Sequence, residues 1–224
     1  MIKLDNLAIG YNGMAILPPI THIFADNQIV GILGTSGKGK STLLKTIAGL
    51  IPPVEGKVTL FPEPESKSTN PVYMMHQKYT NFDWLTCVKN ILIVQRDRKL
   101  RKTKEEYDRA LEVLKQVGLY EYWNKWPTQL SGGMQQRLAL ARVLYARPRY
   151  LLMDEPLSAL DDETRAVMQE LVMKLHKELC NTILLVTHSE AEADLMCDYK
   201  YYIGGNVDGK EIGWPREKST RSVH

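Results

Sequence analysis

The feature that most constrains this chain is a glycine-rich stretch, residues 34–42, that lies between an apolar strand pattern and an apolar helix pattern. Residues 28–33 are apolar and rich in β-branched side chains, which predicts a buried strand. Residues 42–50 predict a helix that ends before two consecutive prolines. A strand that turns through glycines into a helix aims backbone N–H groups and the positive helix end at one point, so we expect an anion to bind there.

The stretch also fits the pattern G-x-x-x-x-G-K-[ST], whose residue types suit the phosphates of a nucleotide. Lys40 can reach the β- and γ-phosphates, and the Ser41 hydroxyl is an oxygen ligand of the kind that Mg²⁺ prefers. For Lys38, a phosphate contact and a solvated position both remain open. A glycine turn that matches by chance is the alternative, but the flanking strand and helix favour a nucleotide. The predicted nucleotide site consists of Gly34, Thr35, Ser36, Gly37, Lys38, Gly39, Lys40, Ser41 and Thr42.

Two adjacent carboxylates, Asp154 and Glu155, follow a second apolar strand pattern at residues 150–153. At the end of a strand both side chains can approach a neighbouring loop. Asp154 suits direct or indirect coordination of magnesium, and Glu155 suits polarising an attacking water as a general base. A solvated acid pair is the alternative, which the phosphate loop upstream makes the weaker interpretation.

A second glycine turn, residues 130–137, begins another predicted helix. Ser131 is a good N-cap, and the glycines behind it leave the first helical N–H groups accessible to a second anion. One triphosphate rarely needs two anion-binding turns from the same chain. The simplest interpretation is that two copies associate head to tail and that each nucleotide site uses residues of both chains. A plain capped helix start is the alternative. The residues predicted to face the partner's nucleotide are Ser131, Gly132, Gly133 and Gln135.

Apolar runs alternate with helical patterns along the chain, which predicts a largely parallel α/β sheet. The first 26 residues and residues 57–60 look like strands of an antiparallel sheet. Residues of about 78–130 carry helical stripes, with one ambiguous segment at 90–94, and predict an inserted helical subdomain. We expect a single domain with an α/β core over about 1–77 and 131–210, this helical subdomain, and a loose tail over about 214–224.

Together these motifs resemble those of the ATP-binding-cassette (ABC) family, in the family's order and across nearly the whole chain. Residues 34–42 correspond to its Walker A loop, residues 130–135 to its signature and residues 151–155 to its Walker B strand with the catalytic glutamate. The resemblance implies an α/β fold with a P-loop NTPase core of ABC type, an antiparallel β subdomain and an inserted α-helical subdomain. It also implies roles for four further residues: adenine stacking by Tyr11, magnesium binding by Gln77 beside Ser41 and Asp154, the D-loop at Asp161, and γ-phosphate contact by the catalytic His188.

The resemblance implies an ATPase that uses ATP and Mg²⁺ and powers solute transport through an integral-membrane permease. The signature LSGGMQQR and residues 81–86 are most similar to importers of the nitrate, sulfonate and taurine branch. Expected partners are a second copy of the chain, the permease and, indirectly, a solute-binding protein. The expected location is cytoplasmic, on the inner face of the cell membrane. The alternatives are an export or lipid-extraction cassette and a non-transport cassette such as a cluster-assembly ATPase.

Composition bears on the remaining function classes. The net charge is +3 with acids and bases nearly balanced, so no nucleic-acid partner is expected. Three widely spaced cysteines suggest reduced thiols rather than a disulfide framework. The first residues lack the apolar centre of a signal peptide, and no apolar run approaches the roughly 20 residues that span a bilayer. We therefore expect a soluble protein.

Two surface segments have more than one interpretation. The basic run at 96–104 predicts a solvated loop or helix start, and contact with anionic lipid headgroups is the second hypothesis. The aromatic side chains within residues 120–126 predict a place in the core or in the wall of a groove.

Overall fold

The structure of the chain is a computed structural model, which describes residues 1–62, 71–76, 81–95, 97, 99–158 and 160–203. The described strands are β1 (Ile2–Ala8), β2 (Gly10–Tyr11), β3 (Met14–Ala15), β4 (Ile20–Phe24), β5 (Ile29–Leu33), β6 (Glu55–Leu60), β7 (Val72–Met75), β8 (Tyr150–Asp154), β9 (Thr182–Val186) and β10 (Tyr199–Tyr202). The described α-helices are α1 (Lys40–Ile47), α2 (Cys87–Leu92), α3 (Lys104–Gln116), α4 (Gly132–Ala146), α5 (Asp162–Leu179) and α6 (Glu190–Met196). Short 3₁₀ helices lie at Leu100–Lys102, Tyr120–Tyr122 and Pro127–Gln129. None of the described helices is both long and apolar enough to cross a bilayer.

The chain divides into two compact units. The first unit comprises the described residues of Met1–Met74, Arg149–Pro156 and Cys180–His224, and the second comprises those of Met75–Pro148 and Leu157–Leu179. The predicted division, with a helical subdomain limited to about 78–130, stays a prediction. In the structure, α4 and α5 belong to the second unit together with α2 and α3.

The described part of the first unit contains two larger sheets and the small antiparallel pair β2-β3. One is antiparallel with the strand order β4-β1-β6. The other has the order β10-β5-β9-β8-β7, and its pairs β10/β5, β5/β9 and β8/β9 are parallel. One apolar core packs α1 against residues of both sheets, such as Leu4, Val30 and Leu184. The predicted α/β fold class is confirmed, with its parallel sheet and its antiparallel sheet.

The central strands of the parallel sheet determine where functional side chains can lie. Every residue of β5, β8 and β9 is buried, as expected for strands that are covered on both faces. These three strands are parallel neighbours, so their carboxyl ends meet at one edge of the sheet. Ligands of open α/β sheets bind beyond this edge. The glycine loop, the acid pair and His188 all follow these strand ends.

Four helices and short 3₁₀ segments form the second unit. Thr103 caps α3 by accepting a hydrogen bond from Glu106 N at 3.3 Å, and Ser131 caps α4 by accepting one from Met134 N at 3.4 Å. Leu114 of α3 and Leu138 of α4 are fully buried in the core of this unit. The buried side chains therefore hold the glycine turn at residues 130–137 on a packed helix.

Two local interpretations are decided by the structure. The ambiguous segment 90–94 lies mostly in α2, where the buried Asn90 amide donates to the carbonyls of Phe82, Leu85 and Thr86. A core position for residues 120–126 is wrong, because all seven are exposed. The expectations for residues 214–224 lie outside the described residues.

Candidate functional site

The glycine loop after β5 is built around the side chain of Lys40, the first residue of α1. Its ammonium is buried and donates to the carbonyl oxygens of Gly34 at 2.7 Å and Thr35 at 3.1 Å. Burial lowers the pKa of the Lys40 ammonium, while the carboxylates of Glu155 and Asp154 act in the opposite direction. The ammonium is thus held at the centre of the loop, whose residues 35–38 are exposed.

Two glycines allow the loop its path. Gly34 has φ 144°, and a Cβ there would lie 2.5 Å from the carbonyl oxygen of Ile203. Gly39 has φ 87° at the N-cap of α1, and a Cβ there would lie 2.9 Å from Ile16 Cδ1. Any larger side chain would have to displace these neighbours and adopt a strained backbone conformation. The first N–H groups of α1 can therefore face the loop, as a phosphate site requires.

The hydroxyl of Ser41 meets the first of the two predicted acids. Ser41 Oγ donates to Asp154 Oδ1 at 2.8 Å, although 113 residues separate them, and Asp154 is buried. A hydroxyl and a carboxylate at this distance are hard oxygen donors that suit a magnesium ion bound mainly through substrate phosphates. Gln77, the third predicted magnesium ligand, lies outside the described residues.

The second acid meets the predicted catalytic histidine. Glu155 Oε1 and His188 Nε2 are in direct contact, so the end of β8 and the end of β9 are joined through these side chains. Glu155 has the left-handed φ of 50°, and its N–H donates to Val186 O at 3.1 Å. A non-glycine residue with positive φ is uncommon, so this turn directs the carboxylate along a path that regular strand geometry would not give.

The loop that carries His188 has supports that the sequence analysis missed. Thr187 Oγ1 accepts a hydrogen bond from Ser189 N at 3.0 Å, and Thr187 N donates to Ile32 O of β5 at 3.3 Å. Ser189 in turn caps α6 by accepting from Glu192 N at 3.2 Å. The spacing of Ser189 and Glu192, serine followed by glutamate three residues later, is a capping signal that could have been found. No sequence pattern of this kind predicts that the hydroxyl of Thr187 supports the loop.

The second glycine turn lies in the second unit, where it begins α4. Gln135 donates through Nε2 to Leu130 O at 3.3 Å, and Asn81 Nδ2 donates to Gln135 O at 2.8 Å. Gly133 faces α5 closely, because a Cβ there would lie 2.7 Å from Thr164 Cγ2. Ser131 and Gly132 are exposed. The predicted partner-facing residues thus begin a capped helix, with Ser131 and Gly132 accessible on its first turn.

The predicted D-loop residue, Asp161, also lies in the second unit. Its Oδ1 accepts from Thr164 N at 2.9 Å, so it caps α5, and this backbone hydrogen bond lowers the pKa of its carboxyl. Arg165 holds the preceding loop by donating to Leu160 O at 2.5 Å. It also reaches Leu157 O at 3.5 Å. The loop before α5 is therefore anchored by an arginine that the sequence analysis did not single out.

Tyr11 lies near the glycine loop rather than in the core. Its ring is 48% exposed, and its hydroxyl is 3.2 Å from Thr42 Oγ1. An exposed ring beside the first turn of α1 is available for stacking on a planar ligand. Its role in adenine binding stays a prediction.

In the first unit, the structure gathers Lys40, Ser41, Asp154, Glu155 and His188 at the carboxyl ends of β5, β8 and β9. This arrangement defines the class of P-loop nucleotide-binding proteins. In it, a glycine loop joins a strand to a helix and closes around a lysine, and an acid pair lies on a neighbouring strand.

The comparisons with known proteins identify the family within this class. The profile of the ABC transporter family matches residues 17–158. A Salmonella paratyphi A protein, provisionally named as a 2-aminoethylphosphonate import ATP-binding protein, is 38% identical over 216 residues, covering 94% of this chain and 57% of that protein. The aliphatic sulfonates import ATP-binding protein SsuB 3 of Pseudomonas savastanoi pv. phaseolicola is 40% identical over 197 residues, covering 88% of this chain and 70% of that protein. The chain belongs to the ABC transporter family.

Solved structures agree with this assignment. A dimeric ATP-binding cassette in a post-hydrolysis state, bound to ADP and Pi, superposes with a TM-score of 0.78 at 30% identity. The match covers 97% of this chain and 98% of that chain. The resemblance to the ABC family is therefore confirmed, whereas the chain spans only 57% of the length of its Salmonella relative.

Proposed function

We propose that this chain binds and hydrolyses ATP to power the import of a small organic anion through a partner permease. The observation that carries the proposal is the paired carboxylate and imidazole of Glu155 and His188, beside the Ser41–Asp154 pair and the buried Lys40. The names of the relatives, which describe import of an aliphatic sulfonate and of a phosphonate, support the transport direction and the solute class. Both solutes are small molecules that carry a tetrahedral oxyanion.

In the proposed reaction, Lys40 and the N–H groups at the start of α1 bind the β- and γ-phosphates. Glu155 accepts a proton from a water molecule as the oxygen of that water attacks the γ-phosphorus. The bond from that phosphorus to the β–γ bridging oxygen breaks. The products are ADP and inorganic phosphate. His188 orients the carboxylate of Glu155 through their direct contact and can contact the γ-phosphate. Tyr11 stacks on the adenine ring in this proposal.

Magnesium is the cofactor in this proposal. The oxygen donors Ser41 and Asp154 would hold it, with Gln77 as the third ligand and phosphate oxygens as the remaining ones. When bound, Mg²⁺ would neutralise charge that develops on the phosphate oxygens.

The assembly proposed is a head-to-tail dimer on the inner face of the cell membrane. Ser131, Gly132, Gly133 and Gln135 of one copy would face the γ-phosphate held by the other, and Asp161 would lie at the interface between copies. A dimeric solved cassette among the structural relatives supports this arrangement. A permease would receive the mechanical work, and a solute-binding protein would deliver the solute to the permease.

An uptake experiment in the native host tests the proposed function. The gene is deleted, and uptake of labelled 2-aminoethylphosphonate and of a labelled alkanesulfonate is measured beside proline uptake as a control. The deletion should abolish uptake of at least one anion, and the wild-type gene but not the Glu155→Gln gene should restore it. Unchanged uptake of both anions in the deletion strain would contradict the proposed solute class. Restoration by the Glu155→Gln gene would contradict the hydrolytic role.

A further inference from the structure

Thr187 directly follows β9 and precedes His188, and it is buried while the next two residues are exposed. Its hydroxyl oxygen accepts a hydrogen bond from Ser189 N at 3.0 Å, so this bond spans His188. We propose that Thr187 is a positioning residue for ATP hydrolysis, whose hydroxyl holds the turn that brings the imidazole of His188 to Glu155. This inference rests on the proposed function, because it concerns how the proposed catalytic pair is kept together.

The backbone before His188 is fixed to both neighbouring strands. Thr187 N donates to Ile32 O at 3.3 Å, near the carboxyl end of β5, and Val186 O accepts from Glu155 N at 3.1 Å. The end of β9 is therefore held between the strand that leads into the glycine loop and the residue that carries the general base. Both hydrogen bonds are made by the backbone, so neither needs the hydroxyl of Thr187.

The backbone after His188 is where the hydroxyl matters. Ser189 donates its N–H to Thr187 Oγ1 and also caps α6, with its own Oγ accepting from Glu192 N at 3.2 Å and its carbonyl accepting from Ala193 N at 3.1 Å. The hydroxyl thus joins the end of β9 to the start of α6 across a single residue. A methyl group in place of the oxygen would remove the acceptor of Ser189 N and loosen this turn.

The imidazole of His188 depends on the backbone that carries it. Its side chain is 41% exposed, and its polar contact among the described residues is with the carboxylate of Glu155. An exposed side chain has few neighbours that restrict its rotamers, so its direction follows mainly from the backbone. A displacement of about 1 Å at a catalytic site can lower a rate on the order of 100-fold. The hydroxyl of Thr187 therefore acts on the reaction through His188.

Kinetics of matched threonine variants test the inference. Thr187→Val keeps the shape of the side chain and removes the acceptor, so kcat should fall at least about fivefold while the KM for ATP stays within about threefold. Thr187→Ser retains the oxygen and should restore most of the rate. The control is Thr182→Val at the other end of β9, where the buried Thr182 Oγ1 accepts from Asn27 N at 3.1 Å. The control should lower the thermal unfolding midpoint as Thr187→Val does, and it should leave kcat unchanged.

The loss of rate must also depend on His188. In single-turnover reactions, Thr187→Val should add no further loss to that of His188→Ala, whereas a loss through general loosening of the fold would add in full. A full additional loss would overturn the inference. The same conclusion would follow from an equal fall of kcat in Thr182→Val, or from a kcat of Thr187→Val equal to that of wild type.

Histidine NMR separates this inference from the proposed function. The ring signal of His188 is assigned by its absence in His188→Ala, and Glu155→Gln should shift it because the two side chains are in contact. In the Thr187→Val chain, the same Glu155→Gln change should shift the signal less. A wild-type chain that hydrolyses no ATP would contradict the proposed function, and this comparison would still decide whether Thr187 holds the pair together. An equal shift with and without the Thr187 hydroxyl would show that it does not.

Discussion

At the scale of single residues, the backbone conformation of Glu155 is what gives the acid pair its direction. A left-handed conformation costs a non-glycine residue roughly 1–2 kcal/mol. The hydrogen bond from its N–H to Val186 O and the contact with His188 hold the residue there. A sequence shows two adjacent acids after a strand but not a positive φ, because that angle follows from the neighbouring strand β9. The acids could thus be predicted, and their orientation could not.

Glu155→Gln should separate nucleotide binding from hydrolysis. The amide keeps the shape of the side chain but cannot accept the proton of water, so turnover should fall about 100-fold or more. ATP should still bind, and the unreacted nucleotide should hold two copies together. Turnover is measured by phosphate release, and assembly by gel filtration with ATP. Elution as a monomer only, at ATP concentrations that saturate the site, would contradict the proposed dimer.

Lys40→Ala should weaken ATP binding roughly 10- to 100-fold, because a charge-assisted hydrogen bond contributes about 1.5–3 kcal/mol. Lys38→Ala is the matched control in the same loop, since Lys38 is exposed while the ammonium of Lys40 is buried against two carbonyls. The control should change the affinity only about threefold or less. Fluorescent-nucleotide titration measures both. Equal affinities of the two variants would contradict the assignment of Lys40.

At the scale of elements, the strands and helices with strong local patterns could be predicted from the sequence. The predicted strands at 28–33 and 150–153 correspond to β5 and β8. The segment 90–94 stayed ambiguous because its helical conformation depends on Asn90, whose partners near residues 82–86 become neighbours only after folding. The same reason applies to Arg165, since its carbonyl partners are set by the path of a loop.

The close approach of α4 to α5 predicts the effect of Gly133→Ala. The new Cβ would lie 2.7 Å from Thr164 Cγ2, and overpacking of this kind costs about 1–3 kcal/mol. Alanine gains about 1 kcal/mol over glycine in a helix, so the net change should be a loss of up to about 2 kcal/mol. Thermal unfolding should show the midpoint several degrees lower.

Thr164→Ser removes the methyl group with which the new Cβ at position 133 would clash. Combining it with Gly133→Ala should therefore restore the stability that the single variant loses. If the double variant is no more stable than Gly133→Ala alone, the steric explanation is wrong. If stability returns while ATPase activity does not, Gly133 also acts on the nucleotide, as the signature assignment predicts. The double variant therefore separates packing from catalysis.

At the scale of the whole molecule, the motifs are distributed over two compact units. The phosphate loop, the acid pair and His188 lie in the first, and the second glycine turn with Asp161 lies in the second. The order of motifs along the chain could be predicted because each is a local pattern. The limits of the units could not, because α5 follows the acid pair directly in sequence yet packs with α4. The division of a chain into compact units depends on which apolar faces of its helices and strands pack together. Closeness in sequence does not determine this packing.

The three cysteines provide a test of the folded chain as a whole. Cys87 and Cys197 are buried, and Cys180 is exposed. Burial raises the pKa of the Cys87 thiol to about 11, so very little of it is the reactive thiolate at pH 8. A disulfide reagent such as Ellman's should therefore react quickly with one thiol in the native chain and with three in denaturant. Native Cys180→Ser should show no fast thiol. Rapid reaction of either remaining thiol in that variant would mean that one of the two buried cysteines is exposed in solution, because each is accessible only if the core around it opens.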